Sequence, residues 1–423
     1  MAIILTAAAT MAFTIVVMVV WRSLGAREKK IKHVIEAGYS VRDEQFSRAV
    51  GSLLPPAMLP GNQVTALHNG DQIFPAMLRA IREARRTICF ETFIYWSGEI
   101  GKAFADALTE RARSGVKVHI LLDWLGSKRI SEQELAGLRQ AGGQIVRYHP
   151  MRWYNPWRIN ERTHRKLLIV DGVLGFTGGV GIADEWQGDA TDPEHWRDSH
   201  YRLEGPCVAQ LQSAFMDNWT KTNSRVLHDE EYFPALEPAG ELTGQLFMSS
   251  PEQGAESMPM MYLLSFAAAR DSIRLTSAYF VPDDLFIDGL VAASRRGVRV
   301  EVIIPGPNVD MAVARRAGRA RWGKLLEADV HIYEYQPCRF HCKLLIVDNL
   351  WVSVGSTNCD NRSLRLNDEA NLNVLDENFA RQQAEVFEQD KRRARLITLK
   401  EWQERPWSEK LKERAAAMLR SQL

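Results

Sequence analysis

The sequence is poor in cysteine and has no excess of either charge. Its 423 residues include five cysteines: Cys89, Cys207, Cys338, Cys342 and Cys359. An odd number without paired spacing argues against a disulfide framework and fits a reducing compartment. Zinc spacings of the Cys-x2-Cys or His-x3-His kind are missing around Cys338, His341, Cys342 and Cys359. These residues therefore read as small side chains near a strand, and no metal is expected. With 53 basic side chains against 52 acidic ones, the net charge is +1. That lacks the basic surplus of a nucleic-acid binder. Charge, glycine and proline are all missing from Ala2 to Trp21, AIILTAAATMAFTIVVMVVW. About twenty apolar residues make one bilayer crossing as a helix. No basic region precedes the run, and it is long for a signal-peptide core, so residues 1–21 are expected to be a transmembrane anchor. Arg22, Arg27, Lys29, Lys30 and Lys32 follow the run. By the positive-inside rule they place the body on the cytoplasmic side, as a single-pass protein. Thr6, Thr10 and Thr14 share one face of that helix.

Beyond the anchor the composition is ordinary globular material, 46% hydrophobic and 25% charged, and the chain repeats itself. AIREARRTICFETFIYW, from Ala80, resembles SFAAARDSIRLTSAYFV, from Ser265. GVKVHILLD, from Gly115, returns as GVRVEVIIP, from Gly297. HRKLLIVDGVLGFTGGVG, from His164, returns as HCKLLIVDNLWVSVGSTN, from His341. Phe74, Met77, Leu78 and Ile81 form a helical stripe, whereas ICFETFIY is β-branched and aromatic. Each copy thus alternates helix and strand before a strand–turn–strand. The expected fold class is α/β, with two similar lobes, each a mixed sheet flanked by helices. The expected organisation is a juxtamembrane linker over 22–60, a first lobe over 61–222, a linker over 223–255, a second lobe over 256–390, and a basic helical tail over 391–423. That tail carries 10 basic and 4 acidic residues.

In an extended chain, positions i and i+2 face the same way, so His164 and Lys166 present together, as do His341 and Lys343. LLIV then supplies a buried strand, and Asp171-Gly172 or Asp348-Asn349 supplies a turn. Asp171 and Asp348 lie seven positions after their histidines, an odd number, and read as turn and packing residues. The returning strand ends in Gly178-Gly179-Val180-Gly181 or Gly355-Ser356-Thr357-Asn358. A hairpin brings those ends back beside the histidines, where Gly178, Gly179, Ser356 and Asn358 are candidate phosphate-binding positions.

These residues resemble the phospholipase D superfamily motif His-x-Lys-x4-Asp-x6-Gly-Ser-x-Asn. The second copy matches at His341, Lys343, Asp348, Gly355, Ser356 and Asn358. The first matches at His164, Lys166, Asp171 and Gly178, but has Gly179 for serine and Gly181 for asparagine. The flanks WYNPWRINERTHRKLLIVDG, WRDSHYRLEGP and GSTNCDNRSLRLNDEANL resemble bacterial cardiolipin synthases, and the likeness runs from about His68 to Asp376. The resemblance implies that His164, Lys166, Asp171, His341, Lys343 and Asp348 form the catalytic set. It also implies that His164 attacks phosphorus while His341 is the acid and base, with a downstream carboxylate orienting each imidazole. Glu369 follows His341 by 28 residues and Asp198 follows His164 by 34, so each is assigned to the histidine of its own copy. Two lysines neutralise a phosphodiester's oxygens, so no cofactor is expected.

The resemblance also implies a phospholipid substrate, phosphatidylglycerol, on a bacterial inner membrane, with no nucleic-acid partner. Joining two phosphatidylglycerols into cardiolipin competes with hydrolysis by water, with a nuclease, and with a non-catalytic scaffold resting on Gly179 and Gly181. Head-group contacts are expected from Arg152 to Arg158 and from Arg315, Arg316, Arg319, Arg321 and Lys324.

Overall fold

Strand Thr87–Thr92 is buried at all six positions, and Lys117–Asp123 at every position but its first, so both faces of this sheet must be covered. The computed structural model describes residues 6, 10, 11, 13–15, 17, 18, 31–151, 160–251 and 256–422. In the first lobe, helices Asn69–Glu83, Glu99–Arg113 and Glu132–Gln140 cover one face of parallel strands Thr87–Thr92, Lys117–Asp123 and Gln144–Tyr148. Helix Cys207–Asn223 covers the other face, with Leu211, Phe215 and Trp219 in the core. The second lobe repeats the scheme with parallel strands Ser272–Thr276, Arg299–Pro305 and His331–Tyr335. Helices Ser257–Ala268, Asp284–Arg295 and Glu377–Arg392 pack around them. In each lobe the hairpin adds antiparallel to the first of these strands.

The two mixed sheets are not separate. Strand Leu59–His68 pairs with Ser199–Glu204 of the first lobe on one side and with Leu242–Ser249 on the other. Leu242–Ser249 in turn pairs with Glu369–Leu375 of the second lobe, giving one continuous sheet of 15 strands. This corrects the expected boundaries. The 223–255 stretch contributes a strand at the centre of the sheet because LTGQLFMS presents a largely buried run. The 22–60 stretch is not a linker either. Helix Glu44–Leu53 sends Phe46 and Val50 into the second lobe's core, and Phe46 meets Trp351 edge to face at 5.1 Å. The tail starts as strand Ala394–Ile397 on the outer edge of the sheet, ahead of helices Leu399–Glu404 and Trp407–Ala417. Strands Gln144–Tyr148, His331–Tyr335, Ser199–Glu204 and Glu369–Leu375 were not anticipated from the sequence.

Most of the expected anchor over 1–21 lies outside the described residues, as does the Arg152 to Arg158 segment. Among the described residues no helix is long and apolar enough to cross a membrane. The hydroxyls of Thr10 and Thr14 donate to the carbonyls of Thr6 and Thr10, at 2.9 and 2.8 Å, so along the threonine stripe these two turn back onto their own helix.

Candidate active site

His-x-Lys does not sit inside a strand. His164 to Lys166 and His341 to Lys343 are extended segments that enter strands Leu167–Val170 and Leu344–Val347. Just upstream of the histidines, each segment crosses to the opposite lobe. Thr163 bridges Asp368, and strand Arg339–Phe340 pairs with Trp196–Arg197. The His164 amide then donates to the Asp368 carbonyl and the His341 amide to the Arg197 carbonyl, both at 2.8 Å.

This crossing corrects the assignment of the orienting carboxylates. Nδ1 of His164 lies 3.0 Å from both carboxylate oxygens of Glu369. Nδ1 of His341 lies 2.6 Å from Oδ2 of Asp198. Each imidazole is therefore held by the other lobe's carboxylate, a relation that spacing along the chain does not reveal. With Nδ1–H donated to a carboxylate, Nε2 is left for chemistry. The two pairs lie within electrostatic reach of each other, Lys343 acting on His164 and Asp198 on Lys166, and all four residues are buried: Asp198 and Glu369 fully, His164 and His341 with 7% and 6% exposed.

Burial pushes the His164 imidazole down to about 4, with Lys166 adding to the shift and Glu369 opposing it. His341 is lowered by burial and Lys343 against the pull of Asp198. Burial also lowers Lys166, to about 7, and lowers Lys343, each opposed by carboxylates including Glu369 and Asp198. For Asp198 burial acts upward, but Lys343, His341 and the Ser199 amide outweigh it and hold the carboxyl below its ordinary range. The protein's own groups thus hold both imidazoles neutral near pH 7. An anion bound among them would raise the histidines and lysines alike, because it favours their cationic forms. Each ammonium also donates to a backbone carbonyl, Lys166 to that of His164 at 2.7 Å and Lys343 to that of His341.

Asp171 and Asp348 stand apart from the chemistry, correcting their place in the catalytic set. Asp171 accepts the amides of Arg85, Arg86 and Thr87 at 2.7–3.2 Å. Asp348 accepts those of Arg270, Asp271 and Ser272 at 2.8–2.9 Å. Both begin left-handed turns, with φ of 54° and 51°, and pin the hairpin to the strand beside it.

Three of the four phosphate-binding candidates are also engaged elsewhere. The Gly179 amide donates to the Ser199 carbonyl at 3.0 Å. The Ser356 hydroxyl gives its proton to Glu369 and accepts the Ala370 amide. Gly178 pairs with His200 in the sheet. Asn358 is buried with its Oδ1 lacking a partner among the described residues, so it keeps polar capacity for a ligand.

Sequence reading missed the aromatic wall. Trp186 and Trp196 lie 5.5 and 5.1 Å from the His341 ring, and Phe93 lies 5.3 Å from that of His164. Trp186 also explains the two departures from the motif. Its Nε1–H donates to Asp198 at 3.1 Å, the counterpart of Ser356 donating to Glu369. A Cβ on Gly179 would meet Asp198 Oδ1 at 2.2 Å. One on Gly181 would meet Ile94 at 2.8 Å and Trp186 at 3.3 Å. The first half-site is refitted around an indole. The signal was present in DEW and WRD, but nothing in the spacing marks these tryptophans as neighbours of a histidine 145 or more positions away.

The arginine-rich stretch is mostly engaged with acids. Arg315 pairs with Glu334, Arg319 with Glu413, Arg321 with Asp284 and Lys324 with Asp288. Arg316 is exposed.

Comparison with known proteins places this geometry in a wider set. The family description "Cardiolipin synthase, PLD-like domain" matches residues 77–186 and 263–391. Cardiolipin synthase 2 of Staphylococcus epidermidis is 32% identical over 361 residues, covering 85% of this chain and 74% of that protein. The major cardiolipin synthase ClsA of Bacillus subtilis is 33% identical over 362 residues, covering 85% and 75%. Among solved structures, the phosphatidylserine synthase of Haemophilus influenzae superposes with a TM-score of 0.66 at 15% identity, covering 90% of this chain and all of that one. That likeness shows the fold alone.

Proposed function

The chain belongs to the cardiolipin synthase family with its phospholipase D-like domains and is a phospholipid-modifying transferase, and from that premise we propose that it joins two phosphatidylglycerols into cardiolipin and releases glycerol. The observation that carries the reading is the crossed pair of His–carboxylate contacts, His164–Glu369 and His341–Asp198, with a lysine beside each imidazole. Lys166 and Lys343 neutralise the nonbridging oxygens of one phosphodiester. Neutral His164 attacks phosphorus through Nε2. The P–O bond to glycerol breaks, and His341, protonated once the substrate anion is bound, gives its proton to the leaving alkoxide. A phosphatidyl-histidine results. The hydroxyl of a second phosphatidylglycerol then attacks it, His341 takes back the proton, and His164 is released neutral. In this reading the chain is anchored by residues 1–21 in a bacterial inner membrane, its body on the cytoplasmic side.

The test is product analysis. Detergent-solubilised protein with phosphatidylglycerol should yield cardiolipin and glycerol in equal amounts without added divalent metal. Phosphatidic acid as the sole lipid product would reassign the reaction to hydrolysis.

A further inference from the structure

Helix Trp407–Ala417 is amphipathic the wrong way round for a protein in water. Its buried positions are Glu413, 1% exposed, and Ala416. Glu413 is held inside by ion pairs to Arg405 at 2.7 Å and Arg319 at 3.5 Å. On the opposite stripe, at helical spacing, stand Trp407, Leu411, Arg414 and Met418. The three apolar ones are 76%, 59% and 79% exposed. A helix that spends a buried, doubly paired glutamate on its inner face and turns tryptophan, leucine and methionine outward is matched to an apolar medium outside.

Two observations say which medium. Arg414 on the stripe is exposed, as are Arg420 just past the helix and Arg316 on the helix packed against it, which suits an anionic partner. The tail beyond this helix also contacts segments that lead into the site from both lobes. The carboxamide of Asn361, three positions beyond Asn358, donates to the Ser421 carbonyl at 2.8 Å, and that of Asn160, four before His164, to Gln422 at 3.2 Å. Helix Ala312–Arg319, which packs against Trp407–Ala417, begins beside Asp310. Asp310 accepts from the Tyr279 hydroxyl, and the Tyr279 ring lies 6.4 Å from that of His341.

We propose that the outward stripe Trp407, Leu411, Arg414 and Met418 docks on an anionic lipid bilayer and holds the active-site end of the two lobes close to it. The stripe enters the head-group boundary, its aromatic and aliphatic members among the acyl chains and its cations at the phosphates. An enzyme acting on lipids is thereby held facing its substrate. This rests on the lipid reading of the site, and the fluorescence measurement that follows reads docking without turnover.

All five native cysteines are buried, so Leu411→Cys in the full chain provides a single exposed thiol for an environment-sensitive fluorophore. Val226→Cys, at a position 62% exposed just beyond helix Cys207–Asn223, is the control. The labelled protein is reconstituted in nanodiscs of phosphatidylcholine alone or of phosphatidylcholine with phosphatidylglycerol. Expected is a blue shift and quenching by brominated lipid at position 411 in discs with phosphatidylglycerol, absent at position 226. Arg414→Glu with Arg420→Glu should abolish that shift, and its persistence would overturn the anionic component. A probe at 411 that stays in water would overturn docking itself. Shielding that appears without lipid and grows with protein concentration would assign the face to a second copy of the chain. Trp407→Ser with Leu411→Ser should lower turnover on bilayer substrate several-fold while leaving turnover on detergent-dispersed short-chain substrate unchanged.

Discussion

Glu369 acts on His164 and Asp198 on His341, so the consequences of changing either carboxylate cross from one lobe to the other. Glu369→Gln should slow formation of the phosphatidyl-histidine by about 10²- to 10⁴-fold, the range of a lost acid–base or orienting group. In an Asp198→Asn variant formation and breakdown of the adduct should both slow, because it is His341, the acid of one step and the base of the other, that loses its partner, and intact-mass analysis after a rapid quench reads both rates. Trp186→Phe keeps the ring beside His341 but removes the N–H to Asp198, a bond to a charged group worth about 1.5–3 kcal/mol. Its expected result is a kcat loss of about tenfold or more, with KM for phosphatidylglycerol unchanged. The pH dependence of stability follows from His164, held at about 4 by burial. An unfolded histidine titrates at about 6.5, so between those values the unfolded chain binds a proton that the folded chain does not, and stability rises with pH across that window. Replacing His164 by Asn should flatten part of the rise in Tm between about pH 4 and 6.5, as measured by calorimetry.

At the scale of elements, the hairpin turn is as important to the fold as the histidines are to the reaction. Asp171 and Asp348 each collect three backbone amides, and removing a carboxylate from such a set costs about 1–3 kcal/mol. Asp171→Ala should therefore lower the denaturation midpoint while kcat per folded molecule stays near normal. The turn role of both aspartates was legible because an odd spacing from the histidine and a following Gly or Asn are local signals. The sharing of strands was not. Leu242–Ser249 joins the lobes through pairings to Glu369–Leu375 and Leu59–His68, partners more than 100 residues away, and its surroundings in Glu, Pro, Gly and Ser read as a linker. Helix Glu44–Leu53 was equally hidden, since only the packed structure shows that Phe46 reaches Trp351. Phe46→Ala should cost about 3–5 kcal/mol, measured by urea titration, as for a buried core aromatic.

For the whole molecule, the repeat announced two equivalent lobes, and the structure returns them as halves of one 15-stranded sheet related by a pseudo-twofold axis between Leu59–His68 and Leu242–Ser249. The histidines and lysines were legible because the motif is local and written twice. The carboxylate pairing was not, because it lies between lobes, and Trp186 was not, because it replaces a serine by contact and not by position. The crossed pairing also has a mechanical side. Either half of the chain prepared alone would possess a histidine with nothing behind it, and a slight parting of the halves would disarm both imidazoles at once. Catalysis should therefore fade at denaturant concentrations where the sheet still gives a native far-ultraviolet signal: the reaction works like a two-key lock that opens only while both doors are shut.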